Sequence, residues 1–150
     1  MAQHIARVSG VAAPSAAAKT LLQVVMGSAN RGKVIAFEVS FDGADSTKTP
    51  ILVELIRQTT AGTGASLTLV KNDEASVAAI GTAQQTFTVE PTAGDILAST
   101  ELSPAGGIYS YQFPMDDNPV IAASGRLGIR VTTVAGSGTP NCVAWLKFSE

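Results

Sequence analysis

An all-β fold is what the residues predict, and three observations predict it. Short β-branched and aromatic runs recur at roughly 8–15-residue spacing. Clusters of Gly, Pro, Asn, Asp and Ser separate them, and no stretch carries the 3.6-residue apolar period of a long helix. The runs number about eight to ten, enough for two antiparallel sheets packed face to face. A jelly roll is the preferred topology, ahead of a generic Greek-key sandwich. The 150 residues fit one β-sandwich domain over 20–150, preceded by an extended N-terminal arm over 1–19, and a chain of this length buries a core without disulfide or metal.

In chain order, Met1–Ala18 is Ala- and Ser-rich, with Gly10 and Pro14 interrupting helix and no alternation long enough for a strand. Thr20–Met26 is the first strand, closed by Gly27–Gly32. Lys33–Asp42 alternates most clearly, with Ile35, Phe37, Val39 and Phe41 on one face and Ala36, Glu38 and Ser40 on the other. After the Asp42-Gly43 loop, Ile51–Gln58 is apolar on both faces, as a central strand is. Its Glu54 needs a partner or access to water.

Thr59–Ala65 reads as a turn that returns the chain into Ser66–Lys71 as a hairpin, and Asn72–Gln84 as loop with at most a helical turn over Asp73–Ile80. Gln85–Glu90 alternates again. Turns at Pro91–Asp95 and Ser103–Gly107 bracket a strand over Ile96–Leu102. Ile108–Phe113 places Tyr109, Tyr111 and Phe113 on one face, a packing pattern rather than a stacking platform. Val120–Ala123, Arg126–Thr133 and Cys142–Ser149 complete the set.

Composition narrows the function. Net charge is −2 with no clustered Lys/Arg face, which argues against nucleic acid and anionic membrane as partners. No apolar stretch reaches the roughly 18 residues of a membrane span, and Met1–Lys19 lacks the pattern of a signal peptide; a soluble protein made in the cytoplasm is expected. Charged residues are 15% of the chain against about 25% in ordinary soluble domains, and mean hydropathy is +0.25. So little charge suggests that a partner covers part of the surface.

Groups that could carry catalysis are sparse. His4 is the only histidine and falls in the arm, where a general base is hard to position, so it reads as a solvated or interface residue. Cys142 is the only cysteine and reads as a buried small hydrophobe, leaving no disulfide or zinc site. The pairs Asp42/Asp45, Asp73/Glu74 and Asp116/Asp117 lie in loops whose spacing matches no calcium motif. Gly62-Thr63-Gly64 and Gly136-Ser137-Gly138 lack the Lys-Ser/Thr ending of a phosphate loop. No cofactor, metal or enzymatic activity is expected. Arg57, Arg126 and Arg130 lie on strands poor in charge, and Trp145 lies on the last strand; Arg and Trp are favoured at protein interfaces.

Val39-Ser40-Phe41-Asp42-Gly43, PILVELIRQTTAGT over Pro50–Thr63, Val89-Glu90-Pro91-Thr92-Ala93-Gly94-Asp95 and Gly125-Arg126-Leu127-Gly128-Ile129-Arg130, with the closing strand through Phe148, resemble a family of small β-rich structural proteins of tailed phages and prophages. The likeness spans most of Val34–Glu150 and is absent from Met1–Lys19 and Lys71–Gln84. It implies a virion protein of the decoration (cement) kind on the outer capsid surface. Its partners would be the major capsid protein and itself, as a homotrimer. The arm would order on the shell and add His4, Ile5, Arg7 and Val8 to the contact candidates Arg57, Arg126, Arg130 and Trp145. Two rival readings are a carbohydrate-binding jelly-roll module of a phage tail or host-recognition apparatus, and a hydrolase built on the Asp116/Asp117 loop.

Overall fold

Alternation of small, apolar and β-branched residues makes strands of nearly every run, and the turn residues end them. A computed structural model describes residues 1–150. It contains β1 (Gln3–Ala12), β2 (Ala18–Val25), β3 (Gly32–Phe41), β4 (Ile51–Gln58), β5 (Thr63–Leu67), β6 (Val70–Lys71), β7 (Thr82–Val89), β8 (Ala93–Leu102), β9 (Ile108–Gln112), β10 (Val120–Ile121), β11 (Arg126–Thr132) and β12 (Asn141–Ser149), with no helix.

The strands form two antiparallel six-stranded sheets. One runs β10-β3-β12-β1-β6, with β9 also on β3; the other runs β5-β7-β2-β11-β4-β8. The first half of the chain pairs with the second as one long hairpin: β1 with β12, β2 with β11, β3 with β9 and β4 with β8. Rolling that hairpin up adds the pairs β3–β12 and β4–β11, which is the jelly-roll topology expected from the sequence. The excursion between β4 and β8 adds β7 and β5 to the β2 edge and β6 to the β1 edge. It caps one flank of the sandwich; the opposite flank ends on β8 and β9.

Between the sheets lie Phe37, Phe148, Leu146, Leu22, Leu55, Leu127, Ile129 and Ile51, all essentially inaccessible. Each such side chain contributes about 1.5–3 kcal/mol by leaving water, so no cross-link is needed. Cys142 belongs to this core, and burial pushes its thiol up to about 12, as expected of an inert small hydrophobe. Ile51–Gln58 is the central strand anticipated from its two apolar faces, flanked by β11 and β8.

Three expectations are corrected. Met1–Lys19 is not an arm: residues 3–12 form β1, paired along its length with β12, and β2 begins at Ala18. Gly10, at φ +71°, marks a bulge between Ser9 and Val11, where the strand bends without ending. The hairpin from Ile51–Gln58 into Ser66–Lys71 does not form. The chain after β4 crosses to the other edge of its sheet, where β5 pairs with β7. Finally, a bulge opposite Lys147 and Phe148 turns Val34 into the core in place of Ile35, which is half-buried.

Candidate protein-binding face

The outer face of the first sheet is built from three adjacent long strands. β12 lies between β1 and β3, and the register places Arg7 beside Trp145 and Trp145 beside Glu38. The rows on either side are Ile5, Lys147, Ala36 and Ser9, Val143, Ser40. Strand alternation sends these residues outward while His4, Ala6 and Val8 of β1 and Ala144, Leu146 and Phe148 of β12 turn into the core.

A groove of about 460 Å³ crosses this face, lined by Ile5, Arg7, Glu38, Asn72, Val143, Trp145 and Lys147. The half-buried Trp145 forms its apolar floor with Ile5 and Val143. Arg130 pairs with Glu54, and His4 Nε2 lies 3.5 Å from Glu150 Oε1, so Arg7, Lys147 and Glu38 stand on the face with no charged partner. Their side chains and the indole N–H of Trp145 make no intramolecular hydrogen bond. An aromatic anchor ringed by unengaged charges of both signs is the composition of a protein-binding surface.

The remaining sequence candidates fall elsewhere. His4 and Val8 are buried, which corrects the reading of both as arm residues open to a partner. His4 sits against Phe148 with ring centroids 5.8 Å apart and its Nε2 3.5 Å from Glu150 Oε1, and neither ring nitrogen makes a hydrogen bond. The Glu150 carboxylate instead accepts the backbone N–H groups of Ile80 (2.6 Å) and Gly81 (3.1 Å). Arg57 donates to the Val120 carbonyl at 2.9 Å and Arg126 to the Thr59 carbonyl at 3.3 Å. Arg130 closes on Glu54 through Nε (2.8 Å) and Nη2 (2.7 Å), supplying the partner this buried carboxylate requires. The three arginines therefore bond within the domain.

Next to that pair, on the outer face of the second sheet, Gln23 donates to Gln58 Oε1 (2.7 Å) and Gln58 to Thr20 Oγ1 (3.1 Å). Gly128 lies beneath them, where a Cβ would collide with the Gln58 carboxamide. Thr59 and Thr60 reach over the cluster, accepting from Arg126 and Gln23.

At one end of the sandwich a polar groove of about 290 Å³ is lined by Asp42, Ala44, Asp45, Ser46, Thr139, Pro140 and Asn141. Its carboxylates are occupied by the protein. Asp42 accepts from Asn141 Nδ2 (2.8 Å) and the Ala44 N–H (3.2 Å), and these bonds lower its pKa below the ordinary 3.8. Thr47 and the Thr139 N–H lower that of Asp45 likewise. No aromatic ring lines this groove to stack a sugar, and nowhere do three His, Cys, Asp or Glu side chains converge as metal ligands. The groove residues of the first sheet that sequence reasoning missed are Glu38, Asn72, Val143 and Lys147. Glu38 is legible as an outward residue of an alternating strand; Asn72 follows β6, which the sequence reads as the end of a single strand over Ser66–Lys71 hairpinned to Ile51–Gln58, so its arrival beside β1 is not legible.

No protein-family model matches the chain, and no curated protein matches it. Among solved structures, alignments cover 97% of the chain with a structure of infectious bursal disease virus, Gx strain, at 6% identity and a TM-score of 0.22. They cover the same share with the infectious bursal disease virus VP2 subviral particle, at 12% identity and a TM-score of 0.19. The chain spans 41% of the length of each of those chains. Likeness at this level carries no argument about role.

Proposed function

We propose that this chain is a non-enzymatic structural protein of a tailed-phage virion, a decoration protein that lays the outer face of its first sheet on the exterior of the capsid. The observation that carries the reading is the row Arg7, Trp145, Glu38, an aromatic anchor between opposite charges that nothing in the chain engages. The resemblance of Val34–Glu150 to phage structural proteins and the low charge of 15% support it. With β1 inside the sheet, attachment comes from a rigid face in place of a flexible arm, so little ordering entropy opposes binding. Each copy bridges neighbouring capsid subunits, and contacts available only on the finished shell stabilise that shell by mass action.

The test is the copy number of the protein in purified particles relative to the major capsid protein, by quantitative mass spectrometry. A ratio near one to one, or a simple fraction of it, supports decoration. A few copies per particle moves the protein to the tail or host-recognition apparatus, and its absence removes the virion role.

A further inference from the structure

The two flanks of the sandwich are finished differently. On the β1/β2 flank the β5–β7 excursion covers both sheet edges; on the other flank β8 and β9 each pair on one side only. β8 carries Asp95 and Glu101 and faces β4 across two irregularities in register, features that discourage pairing at an edge. β9 carries no charge, no proline and no bulge. Its register with β3 is continuous from Ile108 to Gln112, and the bonds Phe41 N–H to Gly107 C=O and Phe113 N–H to Ile35 C=O at its two ends turn the odd-numbered residues toward β3. The N–H and C=O groups of Ile108, Ser110 and Gln112 therefore point away from the domain, with no strand beside them.

The sequence of this edge, Ile-Tyr-Ser-Tyr-Gln, is nearly symmetric about Ser110. We propose that β9 pairs antiparallel with β9 of a second copy of this chain around a two-fold axis at Ser110. In that register Ser110 faces Ser110, Ile108 faces Gln112, and each outward N–H finds a carbonyl opposite it. Tyr109 faces Tyr111 of the other copy, extending the ring cluster in which Tyr111 lies 6.4 Å from Tyr109 and 4.9 Å from Phe113 by centroid. Tyr111 is 39% exposed in the single chain, and cross-strand aromatic pairs favour the joined sheet. A second copy is the occupant that fits because the edge is complementary to itself: like charges oppose nowhere, and the tyrosines exchange places under the two-fold. The contact is isologous and closes at two, in place of the trimer the family resemblance implies.

Glu38 pairs with Ser110 in register, so the row Arg7, Trp145, Glu38, Ser110 continues across the axis into the same row reversed. This doubling of the binding face, unlike the pairing itself, rests on the proposed function.

Sedimentation equilibrium of the full chain tests the pairing. The expected result is a dimer at roughly 100 μM protein, converted to monomer by Ser110→Pro, which removes an outward N–H while sparing the β3 ladder. Ser110→Lys sets two ammonium groups face to face at the axis and decides the matter should the proline variant fail to fold. Association about tenfold or more weaker, with an unchanged thermal midpoint at a dilution where both proteins are monomeric, supports the proposal. A monomer at that concentration, a trimer, or a dimer that persists in Ser110→Lys overturns it, whatever the copy number in particles proves to be.

Discussion

The outer faces of the two sheets are made of similar residues and use them in opposite ways. On the second sheet Arg130 closes on Glu54 and Gln23 on Gln58, with Thr59 and Thr60 folded over them. On the first sheet Arg7, Glu38 and Lys147 surround Trp145 and engage nothing. A polar residue on a strand is thus uninformative about function until its partner is known. Arg130 and Arg7 look alike in sequence; one neutralises a buried carboxylate, and the other is free to meet another protein.

The largest expected effect breaks the second face. Arg130→Met leaves Glu54 buried without a counter-charge, and urea unfolding should show a loss of about 3 kcal/mol. The double variant Glu54→Leu/Arg130→Met should recover to within about 1 kcal/mol of the parent, since an apolar pair can replace a buried ion pair. Neither should change how tightly the folded protein binds particles; a specific loss of binding would erase the contrast between the faces.

Trp145→Ala acts on the first face. A loss of about 2 kcal/mol in binding to particles stripped of the protein, roughly thirtyfold in Kd, should accompany about 1 kcal/mol in stability. Titration of stripped particles read by co-sedimentation separates the two. A smaller effect is expected from Arg7→Glu with Lys147→Glu. Association should slow about fivefold at low salt, the difference should fade toward 1 M salt, and the thermal midpoint should not move. Unchanged salt dependence would place the contact elsewhere.

The smallest effect concerns the end groove. Hydrogen bonds hold Asp42 and Asp45 below the ordinary 3.8. The stability they lend is present above that value and disappears as pH falls through their lowered folded-state values. Asp42→Asn should therefore lower the thermal midpoint slightly at neutral pH, and its difference from the parent should vanish as pH falls through about 4 to 2. Differential scanning fluorimetry across that range checks it.

These contrasts also mark how far the amino-acid sequence discloses the fold and the face by itself. The jelly roll, the central Ile51–Gln58, the need of Glu54 for a partner and the burial of Cys142 are all legible in it, because burial on one face or two imposes a pattern on the strand itself. β1 is not. Its core-facing positions are His4, Ala6 and Val8 and its outward ones Ile5, Arg7 and Ser9, so a histidine points in, an isoleucine points out, and period-two hydrophobicity is nearly cancelled. The candidate face is half legible. Ile5, Arg7 and Trp145 are candidates for separate reasons, and only the pairing of β1, β12 and β3 shows that Glu38 joins them. Arg57, Arg126 and Arg130 stand out as charges on apolar strands, and what they reach across the sheet, a carbonyl or a carboxylate, is set by tertiary pairing.

The position of β12 carries one more consequence. It is the last of the twelve strands to be synthesised, yet it fills the slot between β1, the first of them, and β3. Until it emerges from the ribosome, the first sheet has a gap at its centre, with Arg7 and Glu38 on opposite sides of it and Trp145 missing. Under the proposed function, a nascent chain consequently lacks the face that would meet a partner, and the face is completed only when folding is.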